Sequence, residues 1–317
     1  MDQSAKPTLI LILGPTAVGK SAFAIRLAER LSAELISADS RLFYRGMDIG
    51  TAKPADADRL RVPHHLIDIA YPDQTVSLAD FQLLARQAIV DINSRGRRPF
   101  LVGGTGQYIR AVTQGWQPPA VQPDLRLRAV LEGIDHLGGG TLLYRRLSAM
   151  DPVSAGKIEP SNIRRTVRAL EVILKTGRRF SEQRGSGNSP FNALAIGLRR
   201  PRPELYARLD ARIDDMFAAG LLNEVRTLLA KGYSADLPSM SAIGYRECIK
   251  VVRGQMDLEG AKAEIRRLTR VFVRRQANWF KESDPGIKWF DAADAGLIEA
   301  VESFLRHATG SRPLGPD

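Results

Sequence analysis

A short apolar run followed by a phosphate-loop motif constrains this chain more than any other feature. Residues 9–13 read LILIL, the length of a buried parallel strand, and GPTAVGKS follows at 14–21. Apolar side chains four residues apart, at Phe23, Leu27 and Leu31, indicate a helix directly after the motif. This motif between a strand and a helix is typical of the P-loop of ATP-binding and other nucleotide-binding proteins. We therefore predict an α/β fold, a P-loop NTPase-like parallel sheet flanked by helices.

The chemistry of the loop explains why these residue types occur at this spacing. Gly14 and Gly19 let the backbone curl until its N–H groups face a phosphate, and the start of the helix adds a positive dipole. Lys20 contributes a full positive charge, and the Ser21 hydroxyl is a candidate ligand for Mg²⁺. The predicted phosphate-binding residues are Gly14, Pro15, Thr16, Ala17, Val18, Gly19, Lys20 and Ser21.

Two further predicted strands end in polar residues. The strand at 34–40 ends at Asp39 and Ser40, and carboxyl ends of parallel strands face the ligand, so Asp39 is expected beside the P-loop, unless it only caps the next turn. The strand at 100–102 is followed by GGTG, where many ATPases and GTPases have a Mg²⁺-organising Asp. This difference disfavours ordinary ATP or GTP hydrolysis and leaves the Thr105 hydroxyl at the site.

The charge balance indicates a polyanionic partner. The chain carries 46 Lys and Arg against 35 Asp and Glu, a net charge of +11, whereas a phosphate loop needs a single lysine. An excess of this size favours nucleic acid, although a basic surface that serves only solubility has the same signature.

Composition excludes several classes of protein. A single cysteine, Cys248, rules out a disulfide framework and a cysteine-based metal site, and the 4 histidines do not have the spacing of a zinc site. No apolar leader begins the chain and no run is long enough to span a membrane, so we expect a cytoplasmic protein without membrane contact. Residues 1–8 and the tail after Gly310 are expected to be loose ends.

A mostly helical insertion interrupts the predicted sheet domain. The prolines of QPP at 117–119 break the pattern, and a strand at 193–198 returns to the sheet. We therefore place the P-loop core at 1–117 and 189–317 and the helical insertion at 118–188.

Arginines recur along the second half of the chain. Arg164 and Arg168 lie four residues apart on one predicted helix face, which is either a solvated face or a contact with nucleic acid. Arg208 and Arg212 lie one turn apart on a helix that opens at Pro203, and either one is placed to reach the phosphates.

Two other stretches have an RNA-binding interpretation. In the segment 239–246, Tyr245 would stack on a base and Arg246 would hold a phosphate, unless the segment is a plain surface loop. A helix predicted over 259–280 carries arginines at four-residue spacing: Arg266, Arg270 and Arg274. Repulsion along this ladder would be relieved by a polyanion.

Several segments resemble the tRNA dimethylallyltransferases, also called tRNA isopentenyltransferases. Beside GPTAVGKS, they are DSRLFYRGMDIGTAKP at 39–54, PHHLID at 63–68, GGTGQY at 103–108, RALEV at 168–172, IGY at 243–245 and TRVFVRRQANW at 269–279. They occur in the family's order, and MDIGTAKP beside a P-loop is the most specific. The chain ends without the Cys/His zinc module that eukaryotic members often add, so it is similar to the bacterial form.

The resemblance implies a reaction and its partners. Dimethylallyl diphosphate would give its five-carbon group to N6 of the adenosine 3′-adjacent to the anticodon, position 37 of the tRNA, and diphosphate would leave. The partners would be the anticodon stem-loop of tRNA and dimethylallyl diphosphate, with Mg²⁺ as cofactor. We expect the chain to act as a monomer.

The resemblance also implies roles for individual residues. The phosphate-loop amides would hold the diphosphate together with Lys20, with a Mg²⁺ ion bound partly by Ser21, and with one of the two helix arginines. Asp39 would accept a hydrogen bond from N6 and take its proton, and Thr105 would position the reacting centre. The catalytic residues implied in this way are Lys20, Asp39, Thr105, Arg208 and Arg212.

A larger set of positions matches those that contact tRNA in the family. These positions are Asp39, Ser40, Arg41, Leu42, Thr105, Arg126, Arg164, Arg165, Thr166, Val167, Arg168, Ser241, Ala242, Ile243, Gly244, Tyr245 and Arg246.

Three other functions compete with this interpretation. A small-molecule kinase with a P-loop would show phosphoryl transfer from ATP, but the GGTG segment and the basic excess disfavour it. A prenyltransferase of free adenine nucleotides would lack a reason for the long basic insertion. An RNA-binding switch that senses a nucleotide would not need Asp39 and Thr105 beside a complete phosphate loop.

Overall fold

The computed structural model describes residues 6–119, 121–138, 140–183 and 185–308. Residues 1–5 and 309–317 lie outside the described residues, and with them the predicted loose tail after Gly310. The predicted loose end at 1–8 was too long, because a strand begins at Thr8. None of the described helices is long and apolar enough to cross a membrane.

Strands and helices alternate through the first part of the chain, and helices dominate the middle. The strands are β1 (Thr8–Leu13), β2 (Ala33–Ser37), β3 (His64–His65), β4 (Arg98–Gly103), β5 (Trp116–Gln117), β6 (Gly185–Ser186), β7 (Asn192–Arg199) and β8 (Ile287–Asp291). The helices are α1 (Lys20–Arg30), α2 (Asp56–Arg61), α3 (Leu78–Ser94), α4 (Gly106–Thr113), α5 (Leu125–Leu137), α6 (Leu142–Met150), α7 (Pro152–Ala155), α8 (Ile163–Thr176), α9 (Arg202–Ala218), α10 (Leu221–Ala230), α11 (Tyr245–Val252), α12 (Leu258–Ala277) and α13 (Leu297–Ala308). A short 3-10 helix spans Phe180–Glu182.

A six-stranded parallel sheet in the order β3-β2-β4-β1-β7-β8 confirms the predicted α/β fold class. In the middle strand, Ile12 lies opposite Val102 of β4 and Ile196 of β7. Strand β1 is buried from Leu9 to Leu13, and all of β2 is buried. The strands therefore read as continuous apolar runs, as expected where helices cover both faces of a sheet.

By compactness, the described chain divides into two units. The sheet unit contains the described residues up to Val76, residues 82–113 and the described residues from Pro190 onwards. The helical unit contains Ser77–Phe81 and Gln114–Ser189, and the predicted insertion at 118–188 lies inside it.

The core of the sheet unit fixes the elements that later carry the site. Leu27 of α1, Leu209 of α9 and Val273 of α12 belong to one buried cluster with Ile12 and Leu198 of the sheet. Each such side chain contributes about 1.5–3 kcal/mol by leaving water. The cluster therefore holds the starts of α1 and α9 and the end of α12 in place against the sheet.

The helical unit has a core of its own. Leu131 of α5, Leu147 of α6 and Leu170 of α8 lie in one buried cluster. A buried carboxylate, Glu171, pairs with Arg128 at 2.7 Å and with Arg168 at 2.6 Å. The predicted solvated or RNA-binding arginine face is therefore partly used for internal ion pairing.

Two predictions about the helices were wrong. The segment 239–246 is not a plain surface loop, because α11 begins at Tyr245 after Gly244, whose φ of 99° favours glycine. The arginine ladder of α12 does not depend on a polyanion alone. Arg266 reaches Asp214 at 2.5 Å and Arg270 reaches Asp210 at 2.5 Å, so carboxylates of α9 relieve the repulsion.

Candidate active site

The phosphate loop has the curled backbone that its glycines predict. Gly19 precedes α1 with a φ of 109° and Gly14 has a φ of 145°. A Cβ atom added to Gly14 would lie 2.6 Å from the carbonyl oxygen of Leu198, so a larger residue does not fit there. Helix α1 begins at Lys20, earlier than predicted, and its N-terminus therefore points at the loop's ligand position.

A cavity of about 550 Å³ opens at the loop and at the carboxyl ends of β2 and β4. Predicted residues that line it are Thr16, Ala17, Gly19, Lys20, Ser21, Asp39, Leu42, Arg208 and Arg212. Both candidate arginines of α9 thus reach the same cavity as the P-loop lysine. Its wall also contains His64 and Asp215, for which the sequence analysis predicted no role.

Other residues of the predicted set lie elsewhere. Gly14 and Pro15 line a separate cavity of about 180 Å³, and the side chain of Val18 is buried in the core. Thr105 directly precedes α4, where its carbonyl oxygen accepts hydrogen bonds from the backbone of Tyr108 and Ile109. Gly103 and Gly104, the two residues before Thr105, line the larger cavity, whereas Thr105 is not among the described residues of its wall.

Positive charge is concentrated at the phosphate loop. Burial lowers the pKa of Lys20 to about 8; the Asp39 carboxylate opposes this shift, and the Arg212 guanidinium adds to it. The Nζ atom of Lys20 donates to the carbonyl oxygen of Pro15 at 2.8 Å, and Nε of Arg208 donates to that of Ala17 at 3.0 Å. Such a group of cations favours a dianionic or polyanionic ligand.

Asp39 lies in the loop after β2, since that strand ends at Ser37. One carboxylate oxygen, Oδ1, accepts from the backbone N–H of Arg41 at 3.0 Å, and the Asp39 N–H donates to the Ser37 hydroxyl at 3.3 Å. Both bonds orient the half-buried carboxylate, and none of the hydrogen bonds between described residues uses its Oδ2 atom. That oxygen is available to accept a proton from a ligand.

The GGTG segment forms a wall whose glycines are required by neighbouring protein atoms. A Cβ atom on Gly103 would lie 2.7 Å from the carbonyl oxygen of Ala38, and one on Gly104 would lie 2.3 Å from Nε2 of Gln276. A Cβ atom on Gly106 would lie 2.3 Å from the ring of Trp279. The atoms that approach these glycines therefore belong to the residue after β2, to the last turn of α12 and to the residues that follow it.

The MDIGTAKP loop is held by Glu224, a residue to which sequence reasoning assigned no role. A carboxylate of α10, Glu224, accepts the backbone N–H groups of Asp48, Ile49 and Gly50 at 3.0, 2.8 and 3.3 Å. It also accepts the Tyr245 hydroxyl at 2.5 Å. Gly50 is required here, because a Cβ atom would lie 2.4 Å from the Tyr245 ring.

A buried lysine anchors the same loop from within. The Lys53 side chain is 2% exposed, and its Nζ atom pairs with Asp48, with Asp68 at 2.6 Å and with the carbonyl oxygen of Tyr44 at 2.8 Å. Burial would raise the pKa of Asp68, but Lys53 and Arg59 hold it below its usual value. The segments MDIGTAKP and PHHLID, which stand out in the sequence, are thus joined by an ion pair.

The structure corrects part of the predicted RNA-binding set. Tyr245 is fully buried, so the prediction that it stacks on a base is wrong. Thr166 is 1% and Val167 2% exposed, so neither side chain is available to RNA. Ala242 is also buried, whereas Ser241 and Arg246 are exposed.

The remaining arginines of the predicted RNA-binding set differ in whether their side chains already have bonding partners within the protein. Arg126, Arg164 and Arg165 are exposed, and none of their guanidinium groups has a hydrogen-bond or ion-pair partner among the described residues. Arg168 is committed to Glu171 and to the carbonyl oxygen of Val121 at 2.9 Å. Arg41 donates to the carbonyl oxygen of Pro238 at 3.2 Å.

Known proteins are similar to this chain over most of its length. A model of the family described as IPP transferase matches residues 42–283, and one described as isopentenyl transferase matches residues 7–64. The tRNA dimethylallyltransferase of Roseiflexus sp. (strain RS-1) is 55% identical over 298 residues, which cover 94% of this chain and 97% of that protein.

Two solved structures have the same fold. The full-length tRNA isopentenylpyrophosphate transferase of Bacillus halodurans is 41% identical with a TM-score of 0.71, covering 95% of this chain and 96% of that one. A eukaryotic dimethylallyltransferase acting on tRNA is 27% identical with a TM-score of 0.78, covering 98% of this chain and 81% of that one.

Proposed function

The chain belongs to the IPP transferase family, and from this premise we propose that it transfers a dimethylallyl group to tRNA at the larger cavity. The observation that carries the proposal is the juxtaposition of Lys20, Arg208 and Arg212 with the carboxylate of Asp39 in one cavity of about 550 Å³. The cations suit a diphosphate leaving group, and the carboxylate suits an amine that loses a proton on alkylation.

The donor is dimethylallyl diphosphate, with its phosphates in the P-loop. Negative charge grows on the diphosphate as the allylic C–O bond breaks, so Lys20 and the two arginines stabilise the transition state more than the bound substrate. Backbone N–H groups of Ala17 and of residues 19–21, at the N-terminus of α1, act in the same direction.

The residues around Ser21 fit a Mg²⁺ ion bound together with the diphosphate. The Ser21 side chain is exposed and lines the cavity, and it offers the hard oxygen ligand that Mg²⁺ prefers. No group of three His, Cys, Asp or Glu side chains within the described ranges forms a metal cage. Diphosphate oxygens and waters would complete the shell, and the ion would supply further charge neutralisation on the leaving group.

The acceptor is N6 of the adenosine 3′-adjacent to the anticodon, at position 37. Oδ2 of Asp39 accepts a hydrogen bond from this amino group and takes its proton once the C–N bond has formed, a contribution of about 10²–10⁴-fold. Thr105 is proposed to position the reacting centre from the end of β4. An unpaired loop base leaves its stack for a few kcal/mol, on the order of 2–3.

The anticodon stem-loop is held by exposed and half-buried residues of the predicted set. We assign this role to Ser40, Arg41 and Leu42, to Ser241 and Arg246, and to the helical unit through Arg126, Arg164 and Arg165. We propose that the chain acts as a monomer.

One assay tests the proposal. The protein is incubated with labelled dimethylallyl diphosphate and Mg²⁺, together with either tRNA or AMP. We expect label in tRNA and none in AMP, and loss of labelling when the adenosine next to the anticodon is replaced by guanosine. Label in AMP would identify a nucleotide prenyltransferase, and phosphate transfer from ATP would identify a kinase.

A further inference from the structure

A glutamine near the end of α12 is hydrogen-bonded to the phosphate loop. Oε1 of Gln276 accepts the backbone N–H of Thr16 at 2.9 Å and the Thr16 hydroxyl at 3.2 Å. The two residues are 260 positions apart, and Gln276 lies in the last turn of α12 with 6% of its surface exposed. A buried amide with two such bonds fixes the backbone that it contacts.

The carboxamide has little freedom to leave this position. Its other end, Nε2, faces the Gly104 backbone, where a Cβ atom would lie only 2.3 Å away. The turn that carries Gln276 is held by Val273, which lies in the core of the sheet unit. On the other side of Gln276, the Trp279 carbonyl oxygen accepts from Arg110 at 3.0 Å. The carboxamide is thus wedged between the phosphate loop and the end of β4.

These contacts set the shape of the phosphate loop on one side. Ala17, which follows Thr16, has a φ of 65°, a strained conformation for a residue with a side chain, and its carbonyl oxygen accepts from Arg208. Such a conformation persists only when neighbouring contacts impose it. Gln276 on the Thr16 side and Arg208 on the Ala17 side supply those contacts.

We propose that Gln276 is a positioning residue for prenyl transfer, which acts through Thr16 to hold the phosphate loop in its diphosphate-binding conformation. The inference rests on the proposed function only in naming diphosphate as the ligand. Since Gln276 supports the loop, its loss weakens the grip on the donor and leaves the affinity for tRNA unchanged.

The test uses the full chain and inorganic diphosphate with Mg²⁺, measured by calorimetry without RNA. Gln276→Met keeps the length of the side chain and removes its amide. We expect about tenfold weaker diphosphate binding, a similar rise in KM for dimethylallyl diphosphate, and tRNA binding within twofold of the parent chain. Diphosphate binding within twofold of the parent would overturn the inference.

A second pair of variants keeps the test decisive if Gln276→Met does not fold. Thr16→Ser retains both donors, whereas Thr16→Val removes the hydroxyl at similar volume. We expect Thr16→Val to bind diphosphate about threefold more weakly than Thr16→Ser. In the Gln276→Met background, Thr16→Val should add nothing, and effects that multiply would contradict action through Thr16.

The two proposals fail in different ways. A chain that binds diphosphate in a Gln276-dependent manner but does not label tRNA would retain this inference and lose the proposed function. Normal labelling of tRNA, together with diphosphate binding that does not depend on Gln276, would support the proposed function and overturn this inference.

Discussion

Asp39 offers one oxygen to the backbone of Arg41 and keeps the other for a ligand. Asp39→Asn retains an acceptor for the Arg41 N–H but cannot take a proton. We expect the single-turnover rate of tRNA prenylation to fall by about 10²–10⁴-fold, with diphosphate binding changed less than a few-fold. Asp215→Asn, which changes another carboxylate of the cavity wall, is the matched control and should retain most activity. Prenylation by Asp39→Asn near the parent rate would remove it as the base.

The depressed pKa of Lys20 predicts a pH dependence for donor binding. Below pH 8 the side chain is an ammonium in the empty site, and above pH 8 it is neutral and must take up a proton when diphosphate binds. Affinity for an unreactive analogue of dimethylallyl diphosphate should fall by up to about tenfold per pH unit above 8. Lys20→Arg, which stays charged, should show no such slope, and a flat profile in the parent chain would refute the assignment.

For single residues, the sequence predicted the lining of the cavity well where motif spacing determines where a side chain lies. Lys20, Ser21 and Asp39 reach the cavity because a strand end or a helix start places them there. Tyr245 was placed wrongly, because its burial depends on Glu224 and Gly50, which are remote in sequence. Gln276 was part of a recognised segment, yet no local pattern indicates that it bonds to Thr16.

Among the elements, the MDIGTAKP loop depends on a buried lysine more than on surface charge. Lys53→Met leaves Asp68 short of one partner and removes the bond to the Tyr44 carbonyl, so we expect unfolding free energy to fall by roughly 3 kcal/mol. Thr51 and Ala52 of this loop line the cavity, so KM for the donor should rise as well. Chemical denaturation and steady-state kinetics measure the two effects.

The control for this prediction lies in the same ion-pair group. The Asp48 side chain is 57% exposed, and Asp48→Asn should change the unfolding free energy by less than about 1 kcal/mol. Equal destabilisation by Lys53→Met and Asp48→Asn would show that the burial of Lys53 is not what matters.

Strands and helices with a regular pattern of apolar residues could be predicted from the sequence. Those whose bounds or partners depend on tertiary contacts could not. The apolar runs of β1 and β7 and the spacing of α9 and α12 indicate their structure directly. The start of α11 could not be predicted in this way, since it depends on the positive φ of Gly244 and on the bond from its N–H to Glu247 at 2.8 Å. Likewise, the partners of the α12 arginines lie on α9 and leave no mark in the sequence of α12.

For the whole molecule, the net charge of +11 predicts salt-sensitive RNA binding. Arg164→Ala combined with Arg165→Ala should weaken tRNA binding and reduce the slope of log K against log salt by about 1–2, since each phosphate contact contributes about 0.7–0.9. Filter binding across a salt series measures both quantities. An unchanged slope would exclude these arginines from the RNA contact.

A matched pair of variants separates local contact from net charge. Arg226 and Arg253 are exposed, belong to the sheet unit and do not line the cavity. Arg226→Ala combined with Arg253→Ala removes the same charge, and should leave the salt slope unchanged. A loss equal to that of the Arg164 and Arg165 pair would mean that total charge alone governs binding.

The proposed diphosphate site is assembled from distant parts of the chain. A ribosome-bound chain that has emerged only as far as α8 already carries GPTAVGKS and Asp39, yet it lacks both arginines of α9, Glu224 and Gln276. Thr16 meets its partner only after another 260 residues have been translated. We therefore expect chains that end before α9 to be unable to alkylate tRNA, although they carry the intact motif.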